Sequence, residues 1–260
     1  MVISVIACKD NDPSLICGKP AALHFTSDSI VYRYSSGRIV LVEYFVSGRK
    51  TNKDEFLYNS SGQLAALTKA RILIDDSEAV DSYHTISYGS DGLPSELQTD
   101  SFGGHYSTEF IHDGNQRLLT AETSYGANKL FVGTTRYEYD ANGNIPKVFY
   151  TIDVNGDIKE VLARENLSFD DKEKYYQNSP ELKIANEYVY GYLPNNNNCT
   201  SSKVYYYSYA QHFTSPMDVT FSVDYDEQGR IKTLESDETT QLFTGEVLFN
   251  KAIYTCLSNQ

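Results

Sequence analysis

Apolar and polar residues alternate along most of the chain. Phe221, Val223 and Tyr225 fall on one face of an extended segment and Thr220, Ser222 and Asp224 on the other, and Tyr137 and Tyr139 do the same against Arg136 and Glu138. These period-two runs are separated by a recurring turn. Its clearest copies are Tyr139-Asp140-Ala141-Asn142-Gly143-Asn144-Ile145, Tyr225-Asp226-Glu227-Gln228-Gly229-Arg230-Ile231 and Tyr58-Asn59-Ser60-Ser61-Gly62-Gln63-Leu64. Looser copies are Tyr34 to Ile39, Tyr88 to Leu93, Phe110 to Leu118 around Asp113-Gly114-Asn115, and Ile152 to Ile158; Phe169-Asp170-Asp171 keeps the start and loses the glycine. The spacing has a mechanical reason. An aromatic ends one strand facing the core, Asp or Asn caps the turn, Gly takes a positive-φ position, and Ile or Leu starts the return strand. Copies recur about every 22–30 residues, one hairpin each, which predicts an antiparallel meander of about 14–16 strands.

So many strands cannot remain one flat sheet, because accumulated twist makes sheets beyond about ten strands curl, split or close. The expected fold is therefore all-β, a long meander of hairpins closed or strongly coiled into a barrel, with a β-sandwich as the alternative. Where both faces of a strand are apolar, as in Ile39-Val40-Leu41-Val42, something must cover the second side. Two stretches break the rhythm and read as loops: Asp170 to Leu182, with room for a helical turn, and Gly191 to Ser202, which contains Asn195-Asn196-Asn197-Asn198. No interdomain linker interrupts the pattern, so residues 20–260 are expected to form one antiparallel β domain behind a tether at 1–19.

Composition sharpens this picture. The chain has 22 Tyr and 12 Phe and no Trp, and its 40% hydrophobic content with alternation excludes the disordered class. A formal charge of −13 repels phosphate backbones and anionic lipid surfaces. Nucleic acid is excluded as a partner on that ground, and no apolar run approaches the roughly 18 residues of a spanning helix.

The N-terminal segment carries an address. Val5-Ile6-Ala7-Cys8 resembles a bacterial lipobox, in which the Cys is lipidated, and Lys9-Asp10-Asn11-Asp12 resembles the acidic export signal of surface lipoproteins in Bacteroidetes-type bacteria. Only seven residues precede Cys8 and none is basic, whereas a signal peptide runs to about 15–30 residues; the expectation is a start site upstream or a shortened chain. The competing reading of residues 2–7 is an apolar edge strand. With Cys8 lipidated, Cys17, Cys199 and Cys256 remain. An exporting compartment favours one disulfide. Cys199 with Cys256 is the candidate pair, and three small buried hydrophobes are the alternative.

The Tyr-Asp-x-x-Gly-Arg-Ile segment at Tyr225–Ile231 resembles the YD repeats of Rhs-type surface and toxin-encapsulating proteins. Over about residues 20–255 the chain resembles a family of secreted Bacteroidetes-type lipoproteins of unknown function with a porin-like β-barrel. The resemblance includes Leu167-Ser168-Phe169-Asp170-Asp171-Lys172 and the Asn run before Val204-Tyr205-Tyr206-Tyr207. The Asn-Pro-Phe that follows Asp-Asp-Lys in that family is absent here. The resemblance implies an outer-membrane lipoprotein at the cell surface or in the periplasm and no catalytic residue.

Searches for reaction chemistry find little. There is no Gly-x-Ser-x-Gly, His-Glu-x-x-His, P-loop or Gly-x-Gly-x-x-Gly pattern. His105, Glu109 and His112 are the densest candidate metal ligands, but on a regular strand His112 points away from the other two. Asp140 to Asn144 and Asp153 to Asp157 superficially resemble calcium loops, yet the hairpin explains each residue. Asp170 and Asp171 are the best-placed carboxylate pair for glycoside hydrolysis, and neighbours on a strand point apart. No metal, cofactor or catalytic residue is expected. The strongest local enrichment is aromatic: Tyr188, Tyr190, Tyr192, Tyr205, Tyr206, Tyr207 and Tyr209. It reads as a surface that stacks on sugar rings or a partner protein, or as cross-strand pairs that hold the sheet together. The expected function is thus a non-enzymatic cell-envelope lipoprotein that binds a glycan or a cell-surface protein and touches the membrane through its lipid alone. An envelope scaffold without a small ligand is one alternative, and a glycan-active hydrolase with an unrecognised site is the other.

Overall fold

The computed structural model describes residues 15–24, 27–154, 157–174, 176, 179–205, 216–236 and 251–258. Cys8, Tyr206, Tyr207 and Tyr209 lie outside them. Sixteen strands follow one another: β1 (Leu15–His24), β2 (Ser29–Ser35), β3 (Arg38–Val46), β4 (Arg49–Tyr58), β5 (Leu64–Ile72), β6 (Glu78–Tyr88), β7 (Pro94–Ser101) and β8 (Gly104–His112). Then come β9 (Leu118–Tyr125), β10 (Leu130–Glu138), β11 (Lys147–Val154), β12 (Asp157–Glu173), β13 (Asn197–Val204), β14 (Met217–Tyr225), β15 (Ile231–Ser236) and β16 (Lys251–Ser258). All belong to one antiparallel sheet in which each strand pairs with the next, except that β16 returns to pair with β1. The expected all-β meander is therefore present as a single sheet and not a sandwich. The sheet ends at β15 and β16. Their Cα atoms come within 8 Å of each other, but no ladder joins them among the described residues, so the sheet is coiled and not closed into a barrel.

The repeat builds the turns as its chemistry requires. In the Asp140 turn, Oδ1 of Asp140 accepts the backbone N–H of Asn142 (2.9 Å) and of Asn144 (2.8 Å), while Gly143 adopts φ +80°. Asp226 does the same for Gln228 and Arg230. In the Asp113 turn glycine falls two positions early, and Gln116 takes the left-handed conformation instead (φ +64°). The return-strand residues Ile39, Leu64, Leu118, Ile145 and Ile231 are all buried.

The tyrosine that opens three of the copies has a second task. Tyr58 Oη donates to the carbonyl of Ile39 (2.5 Å), Tyr88 Oη to that of Leu64 (2.7 Å) and Tyr139 Oη to that of Leu118 (2.8 Å). Each acceptor is the first buried residue of the preceding hairpin's return strand. The arginine of one copy also stacks on the tyrosine of the next: Arg38 lies over Tyr58 (5.4 Å) and Arg117 over Tyr139 (4.5 Å). The motif therefore welds neighbouring hairpins together as well as turning the chain. Register slips by one residue at Tyr34, Tyr58, Tyr88, His112 and Tyr225. Bulges of this kind bend a strand and increase twist, so the same position in successive hairpins supplies the curl.

What covers the inner face is the chain between β12 and β13. Helix α1 (Pro180–Ile184) runs directly into a π-helical turn, Ala185–Val189. Leu182, Ala185 and Leu193 join the core formed by Ile39, Val42, Phe56, Leu67, Leu97 and Phe110 on the strands. The two stretches expected as loops are thus corrected. Residues 170–173 continue β12, and Asn197 and Asn198 already belong to β13. The asparagines satisfy a docking contact: Asn195 Oδ1 accepts the N–H of Ile145 (2.9 Å), Asn196 donates to the carbonyl of Asn142 (2.9 Å), and Asn144 and Asn197 exchange hydrogen bonds (3.1 and 2.9 Å).

Candidate functional site

The π-helical turn is the structural irregularity of the molecule, and such turns concentrate at functional sites. It begins from a recognisable start: Ser179 precedes Pro180 at the first helical position with Glu181 next. The wider π-helical turn and Gly191 (φ +71°) then deliver Glu187, Tyr188, Val189 and Tyr190 to the inner face of β7–β11. Between them lies a cavity of about 300 Å³. Leu97, Phe110, Leu118, Ala121, Val148 and Leu193 give it an apolar wall; Tyr137, Tyr150, Tyr188 and Tyr190 add aromatic rings, and Thr108 and Thr135 add hydroxyl-bearing side chains. Size and lining match a small-ligand pocket.

Glu187 is the one charged residue that lines this cavity. It is 6% exposed, and its Oε1 is buried without a hydrogen-bond partner. Burial pushes its carboxyl up to about 7, against the opposing pull of Lys183 and then Lys174. Lys174 is itself engaged, its Nζ donating to the carbonyl of Leu193 (2.9 Å).

The tyrosines of this segment are fixed in place. Tyr188 Oη is 2.9 Å from His112 Nε2, and its ring meets Phe110 edge-on at 4.9 Å. Tyr190 Oη donates to Asp54 Oδ2 (2.5 Å), which also accepts from Tyr44 Oη (2.7 Å). Lys69 Nζ sits 4.2 Å above the Tyr190 ring. Burial raises the Asp54 carboxyl and lowers the Lys69 ammonium, while their mutual attraction opposes both shifts. Nearby His84 is held down to about 4 by burial and by Lys69, and it bonds Ser82 (2.8 Å) and Thr99 (2.9 Å) through its two ring nitrogens. It is a neutral structural imidazole.

Two members of the expected tyrosine surface, Tyr188 and Tyr190, lie at this cavity instead. Tyr188 and Tyr190 do not alternate along a strand; they sit on and just after the π-helical turn and face inward. Tyr192 packs beside Tyr190, with ring centroids 5.8 Å apart. Tyr205 donates to Glu165 Oε2 (2.6 Å) across β12. Of the candidate pair Cys199 and Cys256, Cys199 is buried on β13 and its thiol donates to the carbonyl of Ser201 (3.2 Å), while the backbone register sets Cys17 opposite Cys256. His105, Glu109 and His112 part company, to Asp100, Lys129 and Tyr188 respectively. Asp170 accepts from Tyr225 and Asn198, whereas Asp171 is exposed beside Lys172. Sequence reasoning passed over Glu187, although it is a lone acid in the apolar run Ile184-Ala185-Asn186-Glu187-Tyr188-Val189 that follows a Ser-Pro-Glu helix start.

No family model matches this chain, and no curated protein does. Solved structures do. A porin-like protein from Bacteroides uniformis is 10% identical at a TM-score of 0.40, over 93% of this chain and 95% of that one. The Tc holotoxin pore of Photorhabdus luminescens is 12% identical at 0.35, and the match spans 82% of this chain but 12% of the toxin chain. A protein of unknown function from Bacteroides fragilis is 11% identical at 0.25, over 52% of this chain and 91% of that one. At these identities none of them transfers a residue role or an activity to this chain.

Proposed function

We propose that this chain is a non-enzymatic binding protein of the cell envelope, exported and anchored through Cys8, whose ligand is a small molecule held inside the coiled sheet. One observation carries the reading: Glu187, whose Oε1 is buried without a hydrogen-bond partner among the described residues, lines a cavity of about 300 Å³ walled largely by apolar and aromatic residues. An unsatisfied buried acceptor costs about 1–3 kcal/mol, more when charged, and a ligand that donates to it recovers that cost on binding. An inner site is preferred here to an outward-facing glycan or protein surface because Tyr188 and Tyr190 line the cavity. The envelope address rests on Val5-Ile6-Ala7-Cys8; mass spectrometry of the native product finding an unmodified Cys8 removes it.

Thermal-shift screening of amines, sugars and lipids on the wild type and on Ala121→Phe, which places a ring in the cavity, tests the site. Binding predicts a concentration-dependent rise in Tm for the wild type that disappears in the filled variant. Stabilisation that survives Ala121→Phe, or none with any class, refutes it. The second reading is an envelope scaffold. It is favoured by the Tyr44–Asp54–Tyr190 hydrogen bonds, which fasten the inserted segment as a filler, and it predicts the last of those outcomes.

A further inference from the structure

Given a ligand in this cavity, the charge of its lining selects the kind. We propose that the cavity takes a small organic cation, a protonated amine carried on an apolar body, with its ammonium against Glu187 and its body against the tyrosine rings and the aliphatic wall. The inference rests on the reading of the cavity as a binding site and goes beyond it in naming the ligand's chemistry.

Three observations converge on it. Among the described residues that line the cavity, Glu187 is the only charged one, and none of them is a Lys, Arg or His that would meet an anion. Its Oε1 has no hydrogen-bond partner among the described residues, which leaves the carboxyl short of a donor that an ammonium would supply. Tyr137, Tyr150, Tyr188 and Tyr190 surround the same space, and the negative face of an aromatic ring attracts a cation, most strongly where water is excluded. Apart from Thr108 and Thr135, the remaining lining is apolar and rewards a hydrocarbon or aryl body by burial. A carboxylate ligand would place two like charges together in a poorly solvated site, at a high cost. A neutral alcohol would satisfy Oε1 but forgo both the charge pairing and the cation–π attraction. The groups that act on Glu187 are Lys183 and Lys174, from α1 and from the stretch before it, and Tyr188, Tyr137 and Tyr139. Only the two lysines are cationic, and neither lines the cavity.

The test uses three isosteric probes: 2-phenylethylamine, 2-phenylethanol and phenylacetate, each titrated calorimetrically into the full chain at pH 8. The amine is expected to bind at least about tenfold more tightly than the alcohol, since removing one partner of a buried charge pair typically costs more than that. Phenylacetate is expected not to bind. In Glu187→Gln the amine-to-alcohol ratio falls several-fold, to the smaller preference that the tyrosine rings alone supply, with folding checked by circular dichroism, and lowering the pH from 8 to 6 weakens the amine in the wild type but not in the variant. If amine and alcohol bind the wild type equally, or the ratio is unchanged in Glu187→Gln, the pairing of a cation with Glu187 is overturned and the cavity reading stands. If none of the three binds the wild type, both are overturned.

Discussion

Replacing Glu187 by Gln in the unliganded protein isolates the energetic cost of a buried acid. The carboxyl stands at about 7 in the folded chain instead of its ordinary 4.5, so folding favours its protonated form. The sign follows from linkage. Below pH 4 both folded and unfolded chains carry the proton and the group costs nothing. Between the two values the unfolded chain ionises first, and the fold is progressively destabilised as pH rises. Above about 7 the full difference is reached, about 3 kcal/mol at roughly 1.4 kcal/mol per tenfold in proton concentration. The amide of the Glu187→Gln variant has no such titration, and every other titrating group is common to both proteins and cancels. Urea denaturation followed by far-ultraviolet circular dichroism from pH 5 to 8.5 should therefore show the variant gaining on the wild type, by about 2–3 kcal/mol across that range. The gain levels off near pH 8. A difference that stays flat across the series would refute the reasoning, because it would mean that Glu187 is solvated or paired with Lys183 or Lys174, and the empty acceptor on which the binding site is built would not exist.

Three further outcomes are expected from other parts of the fold. Gly143 and Gly229 occupy the same turn position at φ +80° and +76°, but a Cβ at Gly143 would collide with the Asn196 side-chain amide whereas one at Gly229 meets nothing within 4 Å. Both alanine variants should lose about 1–2 kcal/mol to backbone strain, and a Gly143→Ala loss no larger than that of Gly229→Ala in chemical denaturation would show that the asparagine docking contributes nothing. Tyr190→Phe removes one of two hydroxyls from the buried Asp54 and should destabilise by about 1.5–3 kcal/mol; a loss equal to that of an exposed Tyr83→Phe control contradicts the interior network. The register sets Cys17 opposite Cys256, at the Cα separation a disulfide spans. Peptide mapping of the exported protein without reductant should accordingly join those two and leave Cys199 as a thiol, and a peptide linking Cys199 to either one would overturn the register.

The hairpins were legible because their grammar is local. Aromatic, Asp or Asn, Gly and then Ile or Leu lie within seven residues, and Asp140, Gly143 and Ile145 each do what their chemistry dictates without reference to the rest of the chain. The hydroxyl of the opening tyrosine was not legible in that way. Its acceptor lies a whole hairpin earlier, as with Tyr58 and the carbonyl of Ile39, and is identified only once register is known. The site failed to appear for a different reason. Tyr188, Tyr190 and Tyr192 are spaced two apart, and period two is the signature of a strand. On the π-helical turn and the glycine bend after it the same spacing sends the side chains into the interior, so a local pattern pointed to a surface that tertiary structure turned inside out. Ser179-Pro180-Glu181 was the competing local signal for a helix, and it outweighs the alternation because a proline at the first helical position has no ladder hydrogen bond to lose. What makes that helix fill the coil is outside its own sequence: sixteen twisted strands leave an inner face too large for their own side chains to cover, and among the described residues the stretch between β12 and β13 is the one that covers it. A carboxylate on that segment is costly wherever the filler packs tightly, so Glu187 stands where the packing stops, at the edge of the cavity, with one oxygen unmet. A scaffold that needed only a filler would be better served by Gln or Leu at this position, and the retained acid is the reason to look for its counter-ion among ligands.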